Sequence, residues 1–167
     1  GYFQSGGGSG TLLFQPNPGF RGQMLGLGFQ DITDNQLFNM AVYDVGPRYA
    51  ADLRAAGVNV ASAPQLMSMR IQGITLEYIR EIQQLGYTVN GSGLINARVQ
   101  GITPDYIREM RQIFPSVSMR DLVNMKVQAI FPDYVQEMRQ IYPSASIRDV
   151  INMKVQAIFP DFVRDVR

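Results

Sequence analysis

The sequence predicts an all-α protein, a solenoid-like stack of short two-helix repeats with an irregular N-terminal cap. Three observations predict it. The ten residues from Asn124 to Asp133 recur unchanged from Asn152 to Asp161, an offset of 28. Within each copy the apolar residues follow the i, i+3, i+4, i+7 spacing of an amphipathic helix, not the alternation of a strand. Proline, glycine and hydroxyl side chains fall where helices start and stop.

The recurrence extends backward. The segment from Asn96 to Asp105 aligns at the same offset, the segment from Ser68 to Glu77 before it, and a degenerate first copy runs from Asn39 to Arg48. Leu37, Leu66, Leu94, Leu122 and Val150 anchor the five copies, over 31–58, 59–86, 87–115, 116–143 and 144–167. Self-similarity of this length and regularity decides the architecture.

The third copy shows the unit. Helix A is expected over 92–100, with Leu94, Ile95, Ala97 and Val99 apolar, and helix B over 104–113, with Tyr106, Ile107, Met110 and Ile113 apolar. Arg108, Glu109, Arg111 and Gln112 fill the other side of helix B. Thr103 is placed to cap helix B, Pro104 sits where a missing N–H costs nothing, and Asp105 meets the positive end of the helix dipole. Gly101 suits the left-handed residue that ends helix A. Pro115 and Pro143 stop helix B, as Gly57 and Gly86 do in the earlier copies, while Ser118 with Asp121 and Ser146 with Asp149 form Ser-x-x-Asp capping patterns that open helix A. Helices this short do not stand alone in water, so each must bury its stripe on its neighbours.

Copies four and five depart from this pattern. Their turns read Ala129-Ile-Phe-Pro132 and Ala157-Ile-Phe-Pro160, without the glycine or the capping hydroxyl. A different turn is expected there, with Phe131 and Phe159 packing in compensation.

The ends read differently. Tyr2-Phe3-Gln4-Ser5 resembles the tail of a tobacco-etch-virus protease site and 6–10 an engineered glycine-serine linker, so 1–10 is read as a tag and linker remnant. Segment 11–30 is read as a cap: extended or turn-like over 11–20, then a poor helix B over 21–28 broken by three glycines. Such a cap would shield the first repeat.

Composition narrows the function. Of 167 residues, 46% are hydrophobic and 17% charged, and 15 basic against 14 acidic residues leave a net charge of +1. No stretch concentrates one sign, so neither a polyanion-binding arm nor a membrane-surface patch is indicated. The chain has no Cys and no His, which removes thiol and Ser-His chemistry and leaves a zinc site only carboxylates. No run reaches the roughly 20 apolar residues of a membrane span. Acid pairs such as Asp105 with Glu109 and Asp133 with Glu137 lie on an exposed helical face, with no sign of a cleft or a perturbed pKa. The chain is therefore read as non-enzymatic, without cofactor, metal or small-molecule substrate.

Several columns recur. Arg70, Arg98, Lys126 and Lys154 form a basic column, and Gln72, Gln100, Gln128 and Gln156 a glutamine column. If the repeats stack, these make ladders along one edge: either a binding edge with evenly spaced donors, or a solvated face tied by salt bridges to Glu81, Glu109 and Glu137. The second reading is favoured. Tyr49, Tyr78, Tyr106, Tyr134 and Phe162 fall on the apolar stripe of helix B and are read as packing. Met40, Met69, Met125 and Met153, and at another position Met110 and Met138, are read as adaptable core fillers.

Two resemblances bear on function. The segment from Val99 to Ile107 resembles the hairpin of helix-hairpin-helix DNA-binding modules, whose Gly-apolar-Gly turn presents backbone N–H groups to a phosphate. Here Thr75, Thr103, Phe131 and Phe159 replace the second glycine. A balanced charge would supply little of the affinity that phosphate binding needs. The stretches from Gly73 to Ile82 and from Gly101 to Met110 are similar to a bacterial tandem repeat at the C-terminus of membrane-anchored metallopeptidases of the beta-lactam-sensor antirepressor type. That resemblance covers 31–167, and 12–20 resembles the lead-in to such repeats. The family's common His is Tyr43, Gln72, Gln100, Gln128 and Gln156 here, and its His-Glu-x-x-His motif is absent. The resemblance implies an accessory domain of a larger regulator or sensor and transfers no catalytic residue. The expected function is a scaffold for protein–protein interaction or self-association, with a nucleic-acid-binding array as the alternative.

Overall fold

A computed structural model of the chain describes residues 2–4, 7–9, 13–88 and 90–161. Two three-residue strands, β1 (Tyr2–Gln4) and β2 (Gly7–Ser9), pair antiparallel in the leader. Everything after them is helical among the described residues: α1 (Pro18–Gly26), α2 (Asp34–Val42), α3 (Pro47–Ala55), α4 (Ala63–Ile71), α5 (Leu76–Gln84), α6 (Gly91–Val99), α7 (Pro104–Ile113), α8 (Met119–Val127), α9 (Pro132–Ile141) and α10 (Ile147–Val155).

The helices pack in two rows. The helix A row is formed by α2 on α4, α4 on α6 and α6 on α8; the helix B row includes α1 on α3, α5 on α7 and α7 on α9. The layer between them is apolar. Leu66, Met69, Leu94, Leu122, Met125 and Val150 reach it from helix A, and Leu53, Ile82, Met110 and Met138 from helix B, all fully or almost fully buried. Met40, Met69, Met110, Met125 and Met138 are core, as their spacing predicts, and Met153 is half-buried against it.

Helix starts follow local chemistry. Thr75 and Thr103 accept from the N–H groups of Tyr78 and Tyr106. Ser118 with Asp121 and Ser146 with Asp149 close reciprocal capping boxes, and Thr33 with Gln36 forms another at α2. Asp149 is held below the usual carboxylate range, chiefly by its hydrogen bonds from Ser146.

Helix A ends the same way in every copy. In the third, Gly101 donates to the Arg98 carbonyl and Ile102 to the Ala97 carbonyl, at 3.0 and 2.9 Å. This is a Schellman motif, with Ile102 driven into the core against Ala97. The corresponding residues Asp44, Gly73, Gly101, Ala129 and Ala157 all have positive φ, between 51° and 69°.

Two expectations fail. The altered turn of copies four and five does not exist: Phe131 has φ −104° and ψ 160°, against −103° and 156° for Thr103. The buried Ile130 and the half-buried Ile158 demand the same path, and an alanine accepts the left-handed strain. Nor do Phe131 and Phe159 bury; they remain 50% and 46% exposed.

The cap also differs from expectation. The extended stretch ends at Asn17, which caps a nine-residue helix that runs through Gly19, Gly22 and Gly26. Met24 in that helix is fully buried. Burial of one large side chain offsets the poor helix propensity of three glycines, each costing about 1 kcal/mol. Pro18 and Phe20 stand where Pro47 and Tyr49 stand in α3, so the cap helix takes the place of a helix B.

Candidate interaction face

The basic column lies in the seam between copies. Arg70, Arg98, Lys126 and Lys154 are each half-buried over a tyrosine of the preceding copy. The cation-to-ring-centre distances are 5.3 Å to Tyr49, 5.0 Å to Tyr78, 4.3 Å to Tyr106 and 4.7 Å to Tyr134. Such contacts contribute about 0.5–2 kcal/mol each. Arg70 and Arg98 also donate to the carbonyls of Tyr43 and Gln72, at the C-terminal end of the preceding helix A. A cation there satisfies an orphan acceptor and meets the negative end of the dipole.

The expected pairing of this column with Glu81 does not form: Arg70 pairs with Asp44 at 2.9 Å, and Glu81 takes Arg108 of the next helix B at 2.8 Å.

Each tyrosine completes the rung from the other side. Tyr49, Tyr78, Tyr106 and Tyr134 donate their hydroxyls to the carbonyls of Ile74, Ile102, Ile130 and Ile158 in the next copy, at 2.8–2.9 Å. The column is packing, as its position predicts, and it is also the hydrogen-bonded link between successive turns. Phe162 lies outside the described residues. Burial pushes the Tyr49 phenol up to about 12 against the lowering effect of Arg70, and raises Tyr78, Tyr106 and Tyr134 as well. A second series links helix B termini. Arg54 donates to the Leu27 carbonyl, Gln83 to that of Ala56, and Arg111 to that of Leu85.

In copies four and five the ammonium lies against two rings. Lys126 is 4.8 Å from Phe131 and Lys154 5.0 Å from Phe159, in addition to their tyrosines. The phenylalanines that fail to bury instead give the cation a second ring contact, and Phe159 meets Tyr134 edge to face at 6.5 Å.

Of the proposed edge, Gln72, Gln128 and Gln156 are exposed and Gln100 is half-buried. The structure adds a column that periodicity misassigned. Val99 was grouped with the apolar residues of helix A, yet it is 56% exposed, and Val42, Ile71, Val127 and Val155 at the same position are 60%, 54%, 56% and 63% exposed. The signal was available, because Val99 lies five residues beyond Leu94, off the stripe that Leu94 and Ala97 define. Ile71, Val99, Val127 and Val155 are each adjacent in sequence to the basic residue of their own copy. Val42 and Ile71 are also beside the carbonyls that the next copy's arginine reaches, at Tyr43 and Gln72. Aliphatic side chains and cations therefore alternate along the row.

Among the described residues no group of His, Cys, Asp or Glu could hold a metal ion, and no helix is long and apolar enough to cross a membrane. A cavity of about 670 Å³ opens beside the first turn between Asp44, Arg48, Tyr49, Arg70, Glu77 and Arg80. Its one phenol is Tyr49, held protonated well above neutral pH. No protein-family model, curated protein or solved structure matches the chain.

Proposed function

We propose that the array is a non-catalytic scaffold that docks protein, or further copies of itself, on the exposed side of the helix A row. In this reading it serves as an accessory domain of a larger bacterial regulator or sensor. One observation carries the reading: Val42, Ile71, Val99, Val127 and Val155 remain exposed β-branched aliphatics in every copy. Position two of the same helices drifts freely, through Asn35, Pro64, Ser92, Arg120 and Arg148. Both positions face solvent, so inheritance from a common repeat does not account for the difference. A regular row of exposed aliphatics is a protein-docking feature.

The nucleic-acid alternative is supported less well. A hairpin that clamps phosphate needs free backbone donors, and the turn N–H groups of Gly101 and Ile102 are already given to Arg98 and Ala97. A photo-crosslinking residue placed at Val99 or Val127, and for comparison at Gln84 or Gln112 on helix B, tests the proposal in cells. Protein adducts from 99 and 127 alone are expected. Adducts equally frequent from helix B, or none from helix A, would remove it.

A further inference from the structure

The helix A face carries more than aliphatics. Helices α4, α6, α8 and α10 bear Arg70, Arg98, Arg120, Lys126, Arg148 and Lys154 against only Asp121 and Asp149. Those two acids are engaged by Ser118 and Ser146 in the capping boxes. Arg120 and Arg148 are exposed and form no ion pair among the described residues. Helix B is different: α5, α7 and α9 mix Glu77, Glu81, Asp105, Glu109, Asp133 and Glu137 with Arg80, Arg108, Arg111 and Arg139. From α4 to α10, the row that exposes the aliphatic column is the cationic one.

The spacing of the column selects the shape of a partner. Neighbouring packed helices lie about 8–10 Å apart. An α-helix repeats every 5.4 Å and a strand places side chains on one side every ~6.7 Å, so neither keeps step with such a row. A polyproline II segment advances about 9.3 Å per three residues, with every third side chain on the same side. Asn96, Asn124 and Asn152, one turn before the aliphatic residues, offer amide donors and acceptors to a backbone that has no internal hydrogen bonds.

We propose that the helix A face binds an acidic, extended polypeptide segment of polyproline II pitch. One aliphatic side chain every third residue would meet Val42, Ile71, Val99, Val127 and Val155, with carboxylates between them meeting the seam cations and Arg120 and Arg148. Four steps of about 9 Å make the segment roughly 12 residues long. The inference rests on the docking reading above. A second copy is a poorer occupant, since it would bring one cationic row against another.

The test uses the whole chain and fluorescein-labelled peptides read by anisotropy. The probe is four Leu-Asp-Pro triplets; the controls are four Leu-Lys-Pro triplets and six Leu-Asp pairs. Saturable binding of the aspartate triplets is expected, weakening with added salt and at least tenfold tighter than either control. The double variant Val99→Asp/Val127→Asp is expected to lose at least tenfold in affinity, and Arg120→Glu/Arg148→Glu several-fold. Gln84→Asp/Gln112→Asp on helix B should bind as the parent does. Far-UV circular dichroism and thermal melting identify any variant that misfolds, in which case Val99→Ser/Val127→Ser replaces it. Equal binding of the lysine triplets overturns the charge argument, and equal binding of the Leu-Asp pairs the pitch argument. Displacement of the probe by duplex DNA more readily than by unlabelled peptide, or a dimer by sedimentation that Val99→Asp/Val127→Asp dissolves, makes the occupant something else. If no triplet peptide binds while crosslinks from 99 and 127 persist, this inference fails and the docking reading stands; if both are absent, both fail.

Discussion

Copies two and three differ from copies four and five at the turn, and the backbone does not register the difference. Gly-Ile-Thr with an arginine in the seam and Ala-Ile-Phe with a lysine trace the same path, with φ of 66° and 69° at the glycines and 51° and 55° at the alanines. The buried isoleucine decides the path, and the residues around it adapt. The two versions stabilise the seam differently. In one, a threonine caps helix B and a guanidinium binds the preceding helix end. In the other, the side-chain cap is absent and an ammonium contacts two aromatic rings.

The largest expected effect tests the claim that the isoleucine dominates. Ile102→Ala and Ile130→Ala, both fully buried, should each destabilise by about 3 kcal/mol in chemical denaturation. A clearly smaller loss at Ile130 would mean that the lysine–aromatic contacts, and not the anchor, hold the later turn.

The tyrosine links should be indifferent to which cation covers them. Tyr78→Phe, under Arg98, and Tyr106→Phe, under Lys126, each remove one hydroxyl-to-carbonyl bond and should each cost about 1 kcal/mol. The same links predict alkaline sensitivity. A phenol whose pKa rises on folding contributes stability that is complete below the unfolded value of 10.0 and lost as pH climbs through the folded value, about 12 for Tyr49. The melting temperature should fall between pH 10 and 12, and less for Tyr49→Phe. Parallel curves for the two proteins would separate the hydroxyl ladder from that fall.

The caps and turns give smaller, paired effects. Thr103→Ala should lose about 1 kcal/mol, because a side-chain cap disappears. Phe131→Ala should lose about half that, since only a half-exposed ring contact goes. Gly101→Ala should cost about 1 kcal/mol from φ alone, since its Cβ would meet Lys126 Cε at an ordinary 3.7 Å. Ala129→Gly should return about 0.5 kcal/mol, the relief of strain being reduced by backbone entropy. If Ala129→Gly instead destabilises, the later copies have relaxed in a way the shared φ does not reveal.

Much of the fold was legible in particular residues. Thr103, Pro104 and Gly101 mark the third turn, and α7 begins and ends where the stripe from Tyr106 to Ile113 places it. The misses share a cause. The helix over Pro18–Gly26 reads as broken because its glycines are visible in the sequence and the burial of Met24 is not. Val99 reads as core because it is apolar, although its angle around the helix points outward. The basic column was correctly placed in a row, but its tyrosine partners lie in another copy, out of reach of a pattern read along one helix.

By itself the sequence determined the period, the two-helix unit, the caps and the stop signals. Those depend on interactions within about ten residues of the chain, and such interactions are written in adjacent letters. Only the tertiary structure decided the rest: that cations from one copy close over tyrosines of the copy before, that alanine and phenylalanine accept a glycine-threonine turn, and that an aliphatic residue from each helix A is left facing solvent. Each is set by what an adjacent copy covers. A residue that is chemically equal to its neighbours becomes core or surface according to which side of the stack the packing closes.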